Sequence, residues 1–521
     1  MSQSERRDNR TSPLAMRLLT AVVLMISSSC FVMLLDLVRG IVLMRLLGPT
    51  GRGITRGVNL LTSYLDNTHL GVRHGISKRL PQALAAEDHE TADALEDVAF
   101  TFILGTTIIA ALGVFLWALL ASDVQPATAV SLALGGALLL GQQGDGLYQV
   151  VLRAFGRFRV IAKARVVFGL VQFVGMIGGA WRGGVVGAML GWVASYAAML
   201  LYCHFAAGWR VRLRIRWDIV RQLIMVGLPI CAMTLSDVLL RSIEGIIIVK
   251  YFKVYGLGLY GAATQIAGGL YAMAQATQFV IWPRVLDCHA RDGLGAKTCR
   301  NVILPTIGMA TLMPVLCGAV YFIVPALIAT VVPRFTEATA ASQVLAMSVC
   351  LLAVPIAANT LLVATDKESY VTLYRGLGTA VIVALSLMAV ASSPKPALEL
   401  FAWSAAAGYL IAGLLALVHV LRQLYPTVRQ RAVELLVIYA PTAWAIGVIL
   451  AITHWARLVP GLDGAGWLAA LVKAGLFLVA TAPVLWYADM RLHLRREFGR
   501  MSRELRRHEP PPSAADEEKM D

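Results

Sequence analysis

The chain has 521 residues, of which 58% are hydrophobic and only 15% charged, with a mean hydropathy of +0.69. Soluble domains carry about a quarter charged residues, so that class is excluded. The apolar runs are continuous rather than alternating, which excludes a transmembrane β-barrel. The formal net charge of +15 reads as the loop charge of a polytopic membrane protein before it reads as nucleic-acid binding.

Residues 1–16 form a polar segment with Arg6, Arg7 and Arg10. No cleavage motif follows the first apolar run, so that run is a membrane helix. About fourteen spans follow, near 17–47, 53–80, 98–122, 126–153, 160–181, 184–207, 221–250, 255–284, 301–327, 338–365, 370–393, 399–421, 433–456 and 465–488. Connections alternate between basic ones (Lys78/Arg79, Arg157/Arg159/Lys163/Arg165, Arg210–Arg216, Arg284/Arg291/Lys297/Arg300, Lys367/Arg375, Arg422/Arg429/Arg431) and nearly bare ones (Asp123–Gln125, Arg182, Arg334, Lys395, Arg457). This places the basic set and both termini in the cytoplasm. The tail from Leu492 is basic and suits anionic headgroups; its end, His508–Asp521, reads as disordered. Five of the seven cysteines (Cys30, Cys203, Cys231, Cys317, Cys350) lie in apolar runs and read as small core residues. Cys288 and Cys299 sit in a basic loop where no disulfide is expected. No zinc or haem spacing is present, and no metal or cofactor is called for.

The chain is duplicated. Arg39–Arg45 (RGIVLMR) matches Glu244–Lys250 (EGIIIVK), with Gly51 and Gly53 falling on Gly256 and Gly258. LLLGQQGDGLYQVVLRAFGRFRV, ending span four, parallels LLAVPIAANTLLVATDKESYV, ending span ten. Six helices separate each copy from its partner, so both halves enter the membrane in the same sense. The expected fold is all-α, with two six-helix lobes related by a pseudo-twofold axis along the membrane normal. The division is an N-lobe at 17–207, a linker at 208–220, a C-lobe at 221–421, two added spans at 422–488 and a tail at 489–521. Pro229, Pro314, Pro325, Pro355, Pro441 and Pro483 should kink their helices. Eight glycines in spans five and six allow close helix contact.

Several ionisable residues interrupt the spans, where a charge costs about 2.5–3.5 kcal/mol on insertion scales. Helical periodicity puts Asp36 and Arg39 on one face of span one. It makes stripes of Asp66, His69 and Arg73 in span two, and of Asp237, Arg241 and Glu244 in span seven. Gln142, Asp145, Gln149 and Arg153 share a flank of span four. Arg45, Arg56 and Lys250, near span ends, read as snorkelling side chains, and Arg73 and Arg153 are open to the same reading. The repeat places Asp36 on Arg241 and Arg39 on Glu244, with opposite signs at equivalent positions. This predicts an interlobe latch of Asp36 with Arg241 and Arg39 with Glu244.

RLLGPTGRG (Arg45–Gly53), DNTHLGVRHGISKRLPQ (Asp66–Gln82), LRAFGRFRV (Leu152–Val160), GLPICAMTLSDVLLRSIEGIIIVKYF (Gly227–Phe252) and GLGLYGAATQIA (Gly256–Ala267) together resemble the polysaccharide transporter family. That family includes the Wzx-type flippases and belongs to the multidrug/oligosaccharidyl-lipid/polysaccharide exporter superfamily. The resemblance covers spans one to twelve. It implies a two-lobed bundle around a central cavity, in a bacterial inner-membrane protein rather than an enzyme. Such a protein turns a polyprenyl-diphosphate-linked oligosaccharide from the cytoplasmic to the periplasmic face. A polysaccharide polymerase and other assembly proteins are the implied partners, besides membrane lipids; nucleic acid is not one. Glu244 stands where the family often shows Asp, and span eight is poor in charge.

A diphosphate asks for a cationic wall, for which Arg39, Arg73, Arg153 and Arg241 are the candidates. Asp66, Asp145 and Asp237 are candidate carboxylates for a coupling proton or sodium ion. A lipid II flippase and a cation-coupled multidrug exporter are the alternatives within transport. A membrane glycosyltransferase or polymerase would need a catalytic loop or a paired-carboxylate metal motif, and none is present.

Overall fold

The computed structural model describes residues 13–120, 125–207, 212–393, 397–462 and 464–492. Most of the N-terminal segment, residues 121–124, the start of the interlobe linker and the basic tail beyond Leu492 lie outside the described residues. All regular structure among the described residues is helical.

The first crossing is made by α1 (Pro13–Leu65), which reverses at Gly48 (φ 65°, ψ −176°) and begins the second. A 3-10 turn (Asp66–His69) and the left-handed residues Leu70 and Gly71 break that second span, which α2 (Val72–Ala85) completes. α3 (His89–Leu120) and α4 (Pro126–Ala154) cross once each. α5 (Phe158–Ala207) reverses at Gly183–Gly184 and crosses twice. The C-lobe repeats the plan. α6 (Trp217–Leu240) and the start of α7 (Ile243–Ala276) form span seven; α7 reverses at Lys253 and forms span eight with α8 (Gln278–Asp292). Then come α9 (Ala296–Val331), the pair α10 (Thr339–Ala353) and α11 (Ile356–Ala364), α12 (Glu368–Ser392) and α13 (Leu398–Leu424). The added spans α14 (Val428–Leu458) and α15 (Trp467–Leu492) pack on α9, where the Phe477 ring fills the notch left by Gly318. Among the described residues, ten stretches are long and apolar enough to cross a membrane by length and composition; α1 and α4, which carry buried polar groups, are not among them.

The duplication is visible in the turns. Gly48 and Lys253 share one unusual conformation, φ 65° and ψ −176° against φ 56° and ψ −162°. Glu87 (φ 57°) matches Gly293 (φ 59°), and Gly156 (φ 66°) matches Asp366 (φ 55°). At the last pair the hydrogen bonds repeat as well. Arg157 N reaches Leu152 O at 2.8 Å, and Lys367 N reaches Leu362 O at 2.8 Å. At these turns the backbone conformation is the same in both lobes even where one copy has lost glycine.

Three expectations need correction. Span two is not one helix, so Asp66, His69 and Arg73 do not form a continuous stripe. Span seven breaks at Arg241–Ser242, so Asp237, Arg241 and Glu244 do not form a continuous stripe either. Cys30 is exposed rather than in the core, whereas Cys203, Cys231, Cys317 and Cys350 are buried. The glycines of α5 behave as expected: Gly175 packs on Gly191 and Gly179 on Gly187, backbone to backbone.

Candidate functional site

The lobes meet where α1 enters span two and α7 enters span eight. A methyl carbon placed on Gly53 would lie 1.8 Å from the Val254 carbonyl oxygen. One placed on Gly258 would lie 1.8 Å from the Pro49 carbonyl oxygen. Residues 49 and 53 become 254 and 258 under the repeat, so this contact is its own image. Polar side chains bridge the same seam. Arg52 Nη2 donates to Gln265 Oε1 at 2.9 Å, Tyr64 Oη and Ser242 Oγ share a 2.8 Å hydrogen bond, and Arg56 lies against Gly261. The Tyr64–Ser242 bond joins the two broken spans at their breaks.

On the opposite side, that of the Gly156 turn, α2 packs against α6. A methyl carbon on Gly75 would fall 2.2 Å from the Leu223 carbonyl oxygen, and His74 Nε2 lies 3.4 Å from Thr234 Oγ1. Ala276, the repeat position of Gly71, is exposed. The contact on this side is therefore not mirrored.

In the N-lobe the break of span two brings Arg73 back onto Asp66, with Nη1 and Nη2 at 3.1 and 2.7 Å from its two oxygens. Gln143 of α4 holds the break by donating to the Asp66 carbonyl oxygen at 2.6 Å. Gly146 leaves room for the guanidinium: a Cβ there would meet Arg73 Nη1 at 2.5 Å. Asp145 accepts from the Gln149 amide at 2.8 Å on both oxygens, and Gln149 accepts from Arg165 Nη2 at 3.2 Å. Arg39 pairs with Asp36 at 3.1 Å and donates to the buried Gln172 of α5. Arg153 is exposed at the end of α4, with Nε on the Gln149 carbonyl.

In the C-lobe Asp237 bridges two guanidinium groups, Arg241 at 2.5 Å and Arg375 at 3.4 Å. Arg375 also donates to the Met233 carbonyl at 3.2 Å, and Arg241 lies 5.3 Å over the Tyr271 ring. A cavity of about 20 Å³ beside Asp237, Arg375 and Asn359 has room for about one water. Glu244 is 1% exposed and accepts from Tyr260 Oη at 3.3 Å.

The expected interlobe pairs, Asp36 with Arg241 and Arg39 with Glu244, do not form. Each arginine takes a carboxylate three or four residues away on its own span. Such neighbours sit about 5–6 Å apart at Cβ and need no alignment of two lobes. Asp66 and Asp237 are likewise held by guanidinium groups, leaving Asp145 as the expected coupling carboxylate with a neutral partner. The sequence reading missed Arg165 and Arg375, taking them for loop charges. The repeat would have found them, because 165 and 375 keep the spacing of Gly156 and Asp366, and Gln149 falls on Asn359 by the same spacing. Nothing local in the sequence marked Arg52, Tyr64, Ser242 or Gln265 as bridging residues.

The model of the family described as "Polysaccharide biosynthesis protein" matches residues 42–332, more than half of the chain. The chain belongs to this family. No curated protein is similar enough in sequence to match it. Among solved structures, the polysaccharide biosynthesis protein is similar to "Lipid II flippase MurJ, inward closed conformation". That match has TM-score 0.66 and 10% identity, covering 90% of this chain and 99% of that one. It is similar to an inward-facing multidrug resistance MATE family transporter of the MOP superfamily, with TM-score 0.65 and 14% identity, covering 77% and 98%. A point mutant of the Vibrio cholerae MATE transporter VcmN gives TM-score 0.58 and 14% identity over 79% and 97%. At these identities the likeness shows the fold alone: the chain has the multi-helix membrane architecture of these structures.

Proposed function

We propose that the protein is a flippase that turns polyprenyl-diphosphate-linked oligosaccharide repeat units across the bacterial inner membrane, for O-antigen, capsule or exopolysaccharide assembly. The observation that carries the reading is the charge at and between the lobes. Eight arginines (Arg39, Arg52, Arg56, Arg73, Arg153, Arg165, Arg241, Arg375) stand against five carboxylates (Asp36, Asp66, Asp145, Asp237, Glu244). A guanidinium has five N–H donors, and the ion pairs described above use one or two. The remainder suit a dianionic diphosphate, which arginine grips bidentately. Arg39, Arg73 and Arg241 are the proposed headgroup ligands, with Arg153 at the mouth.

In this reading the Gly156 side, where the basic connections lie, faces the cytoplasm with both termini. The closed seam at Gly53 and Gly258 is then the periplasmic one, and transport alternates between this state and one with the seam parted. Asp145 is the proposed coupling carboxylate. A polysaccharide polymerase downstream of the flippase is the proposed partner.

The test is reconstitution in proteoliposomes with a fluorescent polyprenyl-diphosphate oligosaccharide, following its passage to the outer leaflet by quenching. Protein-dependent passage, lowered in Arg73→Ala and Arg241→Ala, supports the reading; passage no faster than in empty vesicles refutes it. Lipid II run in parallel tests the neighbouring reading, favoured by the MurJ fold match over 90% of this chain.

A further inference from the structure

The carboxyl group of Glu244 is buried outside the arginine clusters. Glu244 follows the break of span seven and is enclosed between the lobes, 1% exposed. Its Oε1 accepts from Tyr260, but its Oε2 is buried with no hydrogen-bond partner. The ionisable groups that face it are Tyr260 on α7, Arg56 and Tyr64 on α1, and Tyr409 on α13, with Arg241 one turn earlier on its own span. α10 and α12 present Ala341, Leu345 and Ile382 to this region, none of them ionisable. Arg56 comes from the opposite lobe and acts on Glu244 by its charge, without an ion-pair contact among the described residues.

An ionised carboxylate buried with one oxygen unpartnered is costly, and a proton removes most of that cost. The enclosure depends on the lobes being together. Tyr64–Ser242 bonds them two residues before Glu244, Arg56 packs on Gly261 beside Tyr260, and Leu60 of α1 packs on Gly245. Parting the lobes would let water reach the carboxylate and hydrate its charged form. We propose that Glu244 is a proton-binding site whose occupancy stabilises the closed interlobe seam. Linkage is reciprocal: if closure favours the protonated carboxyl, protonation favours closure. Acid therefore holds the seam shut and alkali loosens it. Arg56 opposes the proton, because a nearby cation favours the charged form. The site is distinct from Asp145, which lies within the N-lobe and has a hydrogen-bond partner on each oxygen.

Hydrogen exchange on the full-length protein in lipid nanodiscs, without substrate, tests the assignment. Peptides covering 49–58 and 254–262 report the seam, and 66–75 reports the opposite side as a control for global unfolding. After correction for intrinsic exchange, wild-type seam protection should fall as pH rises from 6 to 8, reaching about tenfold per pH unit where one proton is released. Glu244→Gln, a neutral isostere, should keep the seam protected with no pH slope. Arg56→Gln should keep the slope and move the transition to higher pH, which a merely structural role for Glu244 would not produce. A wild-type slope in Glu244→Gln, or a pH-independent wild-type seam, overturns the assignment. So does protection that follows sodium concentration instead of pH. Because no glycan lipid is present, these outcomes are separate from the fate of the flippase reading.

Discussion

Replacing Gly53 with alanine should prevent the seam from closing. The added carbon would sit 1.8 Å from the Val254 carbonyl oxygen, whereas a carbon and a carbonyl oxygen approach to about 3.3 Å. The backbones must part by about 1.5 Å, and the obstacle is main chain, so no rotamer change relieves it. Overpacking of this kind costs about 1–3 kcal/mol. Parting also stretches the Arg52–Gln265 bond, and a bond from a charged donor contributes about 1.5–3 kcal/mol. A shift of about 3 kcal/mol changes the closed-to-open ratio roughly a hundredfold. The helix itself gains from the substitution, because alanine is favoured over glycine by about 1 kcal/mol in a helix interior. Hydrogen exchange at 254–262 should therefore rise, and the gain in helix propensity should offset only part of the stability lost in the thermal melt. Gly258→Ala should act alike, and the double variant should add little, since one gap relieves both clashes. Gly113→Ala, which meets nothing within 4 Å, is the control. Wild-type seam protection in Gly53→Ala would refute the reasoning.

Lys253→Gly should stabilise the protein, because its conformation (φ 56°, ψ −162°) belongs to a region used essentially by glycine and strained by about 1–3 kcal/mol. Glycine's added chain entropy returns about 0.5–1 kcal/mol of that, so a modest rise in melting temperature is expected; a fall would contradict it. Asp237→Ala strands two guanidinium groups and should lower stability by as much as about 3–5 kcal/mol, with part recovered on adding Arg375→Ala. A double-mutant cycle by thermal melt that shows no coupling would exclude the bridge. Arg73→Lys keeps the charge but not the fork on Asp66, so its flipping rate should fall between wild type and Arg73→Ala; a wild-type rate would show that bidentate geometry is not used.

The fold was legible because a bilayer imposes its demands locally. Each crossing needs its own apolar run, and each duplicated turn shows its register in the chain itself. The repeat carried more than was read from it. The spacing that aligns Gly156 with Asp366 also aligns Arg165 with Arg375, and both reach from their lobe's fifth span to its fourth or first. The latch failed for a related reason. Matching Asp36 to Arg241 by repeat position shows that the two are equivalent, and equivalent positions face each other only near the symmetry axis. The glycines at 53 and 258 lie there; the charges at 36 and 241 do not.

Hydropathy, read along the chain, was sufficient for the class, and the quoted motifs for the duplication and the family, because each of these is carried by single segments. Which carboxylate takes which arginine and where span two breaks were decided by packing within a lobe, and the enclosure of Glu244 by packing between lobes. Those contacts join residues up to two hundred positions apart, and side-chain distances of a few ångströms between them have no counterpart in periodicity or spacing.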